Sequence, residues 1–288
     1  MNNKSIKDDF GTSDTYKLFR TVYEIIHPTI SKKNISNYKI IVRDDLFPLR
    51  IFYPKKISKI EKVMIYLHGN RKITGGIKDY NDVCQELVNN TEILLIAIDY
   101  EMKSYEETAQ ICLNTINYLI DELHKIKIAE TNITVIGDST GASLLASGLI
   151  SNENKIKKQI LIYPALNLVF KEECYKSLNQ NSQIDIETLK YLTEYSNKYI
   201  NKQEYKSPLT NLDYKNWPTT LIITGDLDPL RDEGIDLSKK LKEASKKVKE
   251  INIKFASHGF LNGKDEESIE ECMKEINKFI LKNVSRSE

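Results

Sequence analysis

The sequence predicts an α/β fold, a mostly parallel sheet flanked by helices, and three observations carry that expectation. Five short, nearly continuous apolar runs recur along the chain: Val63–Leu67, Ile93–Ile98, Ile133–Ile136, Gln159–Tyr163 and Thr220–Ile223. Central strands whose two faces are both covered by helices read in this way. Helical patterns lie between most of them, at Asp82–Val88, Tyr105–Leu123 and Ser143–Leu149. Such alternation builds a sheet with right-handed crossovers. The length of 288 residues suits one large domain of this class and can bury a sizeable core.

The elements follow in chain order. Residues 1–36 are polar except for a stretch from Tyr16 to Ile26, where Leu18, Phe19, Val22, Ile25 and Ile26 fall at near-helical spacing. Pro28 stops that helix. Two β-rich runs, Tyr38–Arg43 and Leu49–Tyr53, are separated by Asp44-Asp45-Leu46-Phe47-Pro48 and read as an antiparallel hairpin. The α/β alternation then runs from residue 63. It is interrupted at 168–216, a segment longer than an ordinary connection with its own helical pattern around Ile186–Tyr199. This segment reads as a helical cap over the carboxyl ends of the strands, where open α/β sheets bind ligands. A last strand is expected at Ile251–Phe255, with Ile251, Ile253 and Phe255 alternating, and a final amphipathic helix from about Glu266 to Lys282. Without repeats or a Gly/Ser-rich linker, the expectation is a single domain over 1–288 with a cap formed by about 1–36 and about 168–216.

Composition narrows the function classes. Forty-two basic residues balance 41 acidic ones for a net charge of +1, which gives no electrostatic reason to expect nucleic acid or an anionic membrane. The start MNNKSIKDDF has no apolar h-region, so no cleaved signal peptide is expected. No apolar run is long enough to span a membrane. Cys84, Cys112, Cys174 and Cys272 lie far apart without metal-ligand spacing and read as reduced, mostly buried thiols of a cytoplasmic protein.

The chemistry lies in three segments. Gly137-Asp138-Ser139-Thr140-Gly141 is a G-x-S-x-G string directly after a predicted strand and before a predicted helix. That context makes it a nucleophile elbow: Ser139 sits strained and exposed, and side chains at 137 or 141 would collide with backbone. A nucleophilic serine needs a base. The chain has four histidines: His27 near the N-terminus, His68 at a strand end, His124 at the end of a helix, and His258 just past the last strand. In the order Ser…Asp…His only His258 fits as the base. His124 reads as a surface residue and His68 as a supporting one. Past the strand Thr220–Ile223 stand Asp226, Asp228 and Asp232. Asp232 and Glu233 suit the N-terminus of the next helix. Asp228 before Pro229 is our choice for the orienting acid, with Asp226 as the alternative.

These motifs resemble the hormone-sensitive-lipase-like family of α/β-hydrolases, mostly carboxylesterases. Gly137-Asp138-Ser139-Thr140-Gly141 is similar to its GDSAG elbow, Asp228-Pro229-Leu230-Arg231-Asp232-Glu233-Gly234 to its DPLRDEG acid motif, and His258-Gly259-Phe260 to its HGF base motif. Tyr163-Pro164 and Ser207-Pro208-Leu209 also fall at family-like positions, and the resemblance covers roughly residues 38–280. It implies the α/β-hydrolase fold, with a mostly parallel eight-stranded sheet and a helical cap. A homodimer through an edge strand or the final helix is implied by the resemblance only. The family's HGGG is altered here to His68-Gly69-Asn70-Arg71, and its Tyr-Arg-Leu-Ala-Pro-Glu stretch to Tyr100-Glu101-Met102-Lys103. The oxyanion hole is expected from the N–H groups of Gly69, Asn70 and Thr140.

The leading expectation is a serine esterase that cleaves small carboxylic esters with short acyl chains through an acyl-enzyme, without metal or organic cofactor. An amidase or formamidase on the same triad is the second reading. A small-molecule binding protein that lost efficient turnover is the third, suggested by the altered oxyanion loop.

Overall fold

The computed structural model describes residues 39–40, 44–54, 60–69, 77–151, 154–168, 194–201, 205–210 and 213–281. An antiparallel hairpin opens the sheet: β1 (Lys39–Ile40) pairs with β2 (Leu49–Phe52), Lys39 opposite Arg50 and Ile40 opposite Leu49. The central strands are β3 (Val63–Leu67), β4 (Leu94–Ile98), β5 (Ile133–Asp138), β6 (Lys158–Ile162), β7 (Thr219–Gly225) and β8 (Val248–Ile253). Among the described residues eight strands lie in the order β1-β2-β4-β3-β5-β6-β7-β8, antiparallel at β1–β2 and β2–β4 and parallel elsewhere. The fold class and strand number are therefore those expected. Strand order turns back at β3, which lies between β4 and β5, and such a switch opens a crevice at the carboxyl ends of the strands.

Both faces of strands β3 to β7 are buried, which is why they read as apolar runs rather than as alternation. Within β3, Val63, Ile65 and Leu67 join one core cluster while Met64 and Tyr66 join the other. Helices α1 (Asn81–Thr91) and α5 (Glu266–Leu281) cover the second face. Helices α2 (Tyr105–Lys125), α3 (Thr140–Ser151) and α4 (Arg231–Glu243) cover the first. Helix α2 starts at Ser104, whose hydroxyl accepts the Glu107 N–H at 3.3 Å. It buries Ala109, Leu113, Ile116, Ile120 and Leu123 at helical spacing.

The last strand is shifted from its expected place. It spans Val248–Ile253, not Ile251–Phe255. Phe255 has φ 59° and is 75% exposed. The apolar alternation persuaded a period-2 reading, but the chain turns after Ile253 so that Ala256 can pack under Gly225, where a side chain would meet the Ala256 carbonyl oxygen. A left-handed phenylalanine is strained. Phe255→Asn is therefore expected to gain about 0.5–1 kcal/mol, because Asn tolerates that backbone and little buried area is lost. Urea unfolding checks this, and a lower midpoint in the variant would refute it.

Of the expected cap, residues 1–36, 169–193, 202–204 and 211–212 lie outside the described residues, including the helix read at Tyr16–Ile26, His27 and Cys174. Residues 194–199 are helical, the carboxyl part of the helix expected around Ile186–Tyr199. Buried Ser196 donates its hydroxyl to the Leu168 carbonyl at 2.6 Å, so this stretch is tied to the loop after β6. Cys84, Cys112 and Cys272 are buried free thiols. Among the described residues no helix is long and apolar enough to cross a membrane.

Candidate active site

Strand β5 ends at Asp138 and α3 begins at Thr140, leaving Ser139 alone in the turn with φ 47°. A non-glycine residue there is strained and persists only if its surroundings hold it. The Ser139 N–H donates to the Ile162 carbonyl at 2.9 Å, and its carbonyl accepts the Ser143 N–H at 3.0 Å. The flanking glycines let the turn close. A Cβ on Gly137 would stand 2.7 Å from the Ala142 nitrogen, and one on Gly141 would stand 2.6 Å from the His68 carbonyl oxygen.

The other two candidates come from neighbouring strand ends. Asp228 lies in the turn between β7 and α4. Its Oδ1 accepts the Leu230 N–H at 2.8 Å, and its Oδ2 lies 2.9 Å from His258 Nδ1. His258 follows β8, and its Nε2 lies 2.8 Å from Ser139 Oγ. The carboxylate fixes the tautomer: Nδ1 donates to Asp228, and Nε2 presents its lone pair to the serine hydroxyl. Burial alone would lower the His258 pKa, but the Asp228 carboxylate and its hydrogen bond outweigh it and raise the pKa above 6.5, with Asp138 and Glu233 adding in the same direction. Ser139, Asp228 and His258 thus meet in one hydrogen-bonded chain. Asp226 does not join it; its Oδ1 faces Arg231 Nη1 at 3.4 Å and Asn252 Nδ2 at 3.3 Å.

The remaining histidines separate as expected where they are described. His124 is exposed. His68 is buried, stacked on Tyr100 with ring centroids 4.3 Å apart, and its Nδ1 lies 2.6 Å from the Gly69 carbonyl oxygen. Burial lowers its pKa to about 4, so it stays neutral near physiological pH.

One expectation is corrected. Gly69 does not offer a free oxyanion donor, because its N–H donates to Asp138 Oδ1 at 2.6 Å. A backbone N–H satisfied by a buried carboxylate is not available to a developing oxyanion as well. Thr140 is different: it is the first residue of α3, where N–H groups have no acceptor within the helix. Asn70 and Arg71 lie outside the described residues.

Two participants were missed in the sequence. Asp138, the residue before Ser139 in the elbow motif, is 1% exposed, and Tyr66 and Tyr163 both donate their hydroxyls to it, at 2.6 and 3.2 Å. Burial raises its pKa to about 6, against the pull of these hydrogen bonds and that of Gly69. Glu233 sits in the first turn of α4 as expected, but its Oε2 also accepts the N–H groups of Leu166 and Asn167, at 2.6 and 3.0 Å. The same Leu166 offers its carbonyl to the Tyr205 hydroxyl at 2.8 Å and the Ser207 hydroxyl at 2.5 Å. Glu233 therefore fixes the loop that leads into residues 168–216. The sequence signals for Asp138 were a charge at the end of a buried strand and the aspartate of the GDSAG-like string; none marked the long-range target of Glu233.

A strained serine between a parallel strand and a helix, facing an imidazole oriented by a carboxylate, defines a protein built around a nucleophile elbow. The chain belongs to the α/β-hydrolase fold family, whose sequence model matches residues 64–262, and the likeness read from its three motifs is to the hormone-sensitive-lipase-like branch. It is similar to an arylesterase of Saccharolobus solfataricus, 25% identical over 88% of this chain and 86% of that protein. It is also similar to an ethyl acetate hydrolase of Pseudomonas putida, 22% identical over 79% of this chain and 76% of that protein. Among solved structures, a hyperthermophilic esterase from Pyrobaculum calidifontis superposes with a TM-score of 0.72 at 25% identity, covering 97% of this chain and 93% of that one.

Proposed function

We propose that this protein hydrolyses small carboxylic esters with short acyl chains, with Ser139 as nucleophile, His258 as general base and Asp228 as the residue that orients it. The observation that carries the reading is the continuous path from Ser139 Oγ to His258 Nε2, at 2.8 Å, and from His258 Nδ1 to Asp228 Oδ2, at 2.9 Å. Ser139 Oγ attacks the ester carbonyl carbon as its proton passes to His258 Nε2. The imidazolium so formed faces the Asp228 carboxylate. The Thr140 N–H and the N–H of Asn70 receive the oxyanion. Collapse of the tetrahedral intermediate expels the alcohol, which takes the proton from His258. Water, deprotonated by the same imidazole, then releases the acid and restores Ser139.

Likeness to an arylesterase and an ethyl acetate hydrolase supports an ester over an amide as substrate. Within the same reading, residues 1–36 and 168–216 form a cap on a single domain. We further propose a cytoplasmic protein and, from the family resemblance, a homodimer through an edge strand or α5. A fluorophosphonate probe and p-nitrophenyl acetate and butyrate test the chemistry. Wild type is expected to be labelled at Ser139 and to turn over acetate and butyrate, whereas Ser139→Ala is neither labelled nor faster than buffer. Equal rates for the two proteins would remove Ser139 from the mechanism.

A further inference from the structure

We propose that Asp138 is a positioning residue for this reaction: its carboxylate clamps the nucleophile elbow to the strand end that carries the oxyanion loop and, through the Tyr163 hydroxyl it accepts, bears on the His258 imidazole. The inference rests on the reading of Ser139 and His258 given above.

Its geometry joins three strands. Asp138 ends β5 directly before Ser139. Its Oδ1 accepts the Tyr66 hydroxyl of β3 and the Gly69 N–H just past β3, each at 2.6 Å, and its Oδ2 accepts the hydroxyl of Tyr163, just past β6, at 3.2 Å. Gly69 is covalently joined to Asn70, so the bond to its N–H fixes how the chain enters the loop proposed to supply an oxyanion donor. The fit leaves no slack. A Cβ on Gly69 would stand 2.6 Å from both Asp138 Oδ2 and Tyr80 Oη.

The third contact leads to the base. Tyr163 sets its ring edge against His258, with centroids 5.0 Å apart, and has φ 36°. One carboxylate therefore anchors groups beside the nucleophile, the oxyanion loop and the imidazole. Burying a carboxylate is costly even with three donors. The burden is visible in its ionisation, which burial has displaced upward to about 6. A neutral side chain would fill the same space at lower cost, so a costly charge held here fits a role in the reaction rather than in the fold.

The titratable groups within electrostatic reach of Asp138 are Tyr66, Cys84 of α1, Tyr100 after β4, Tyr163, Cys272 of α5 and His258, and the Tyr80 hydroxyl stands across Gly69 from it. Among these, His258 is the group that gains a positive charge near neutral pH. His258 is hydrogen-bonded to Asp228, and the charges of Asp228, Asp138 and Glu233 all favour its protonated form.

Wild type, Ser139→Ala, Asp138→Ala and Asp138→Asn test this together. Asp138→Ala removes the acceptor and is expected to lower kcat about 100-fold with KM within about 3-fold of wild type, as for loss of one oxyanion donor. Asp138→Asn keeps an oxygen for the Gly69 N–H, so kcat at pH 8 should return to within about 5-fold of wild type. Its missing charge should move the acid limb of kcat/KM, and the His258 ring titration followed by NMR, down by about half a unit to one unit. A fold-only role would not move that titration. Wild-type kcat in Asp138→Ala, or an unmoved His258 titration in Asp138→Asn, overturns the proposal. Should Asp138→Ala fail to fold, the titration in Asp138→Asn decides alone. Wild-type rates in Ser139→Ala would instead overturn the triad reading, and the His258 titration would still report on Asp138.

Discussion

His258→Ala is expected to lower kcat on p-nitrophenyl acetate by about 10⁴- to 10⁶-fold, because it removes both the acceptor of the serine proton and its later donor. Asp228→Asn should cost less, about 10³- to 10⁴-fold, since an imidazole remains but its Nδ1–H loses the carboxylate that selects the tautomer. KM should change little in either protein, because neither side chain is proposed to hold the substrate's ground state. Loss of only a few-fold in His258→Ala would sink the assignment of the base. The pH dependence has a definite sign. Hydrolysis needs neutral His258, and the Asp228 carboxylate raises its pKa above 6.5 despite burial. Rates should therefore fall as pH drops through that raised value. Stability runs the other way: the contribution of the His258 imidazolium is fully present below 6.5 and is lost as pH rises through the folded-state pKa. Kinetic profiles and thermal melts across pH 5–9 measure both trends on one protein.

Gly141→Ala is expected to lose on the order of 3 kcal/mol of stability, although alanine is the better helix former by about 1 kcal/mol. The new Cβ would meet the Leu67 carbonyl oxygen and stand 2.6 Å from the His68 carbonyl oxygen. Both belong to backbone at the end of β3, which cannot step aside as a flexible side chain could. Relief would push α3 away from the strand end, and with it Ser139, so activity should fall together with stability. Gly148 in the same helix is the control. Its nearest neighbour would be the Leu113 Cβ at 3.4 Å, so Gly148→Ala should leave stability unchanged or raise it by up to about 1 kcal/mol. Urea unfolding of the pair separates close packing from helix propensity, and equal midpoints for both variants would contradict the account.

The local patterns were legible because each follows from covalent chemistry and short-range sterics. Strands β3 to β7 and helices α1, α2, α3 and α5 lie where apolar runs and helical spacing put them, within a few residues. Strand β8 was misplaced because Ile251, Ile253 and Phe255 alternate, whereas the turn that exposes Phe255 is imposed by packing of Ala256 against β7. Asp228 was preferred to Asp226 on its motif, and the structure gives a reason that sequence distance cannot: Asp228 points inward to His258, while Asp226 faces Arg231 and Asn252. The oxyanion loop shows the reverse case. Gly69 looked like a donor in the linear motif, yet Asp138, 69 residues away, takes its N–H.

The fold class, the elbow at Ser139 and the chain order of the three candidate residues could be read from local quantities: residue spacing, glycine placement and strand–helix alternation. How the buried and half-buried charges are satisfied depends on the packed fold. The carboxylates of Asp138 and Glu233 find donors on distant segments at Gly69, Tyr66, Tyr163, Leu166 and Asn167. A charge removed from water must be neutralised or hydrogen-bonded wherever the fold brings a partner, and that place is set by the packing of the whole sheet rather than by neighbours in the chain.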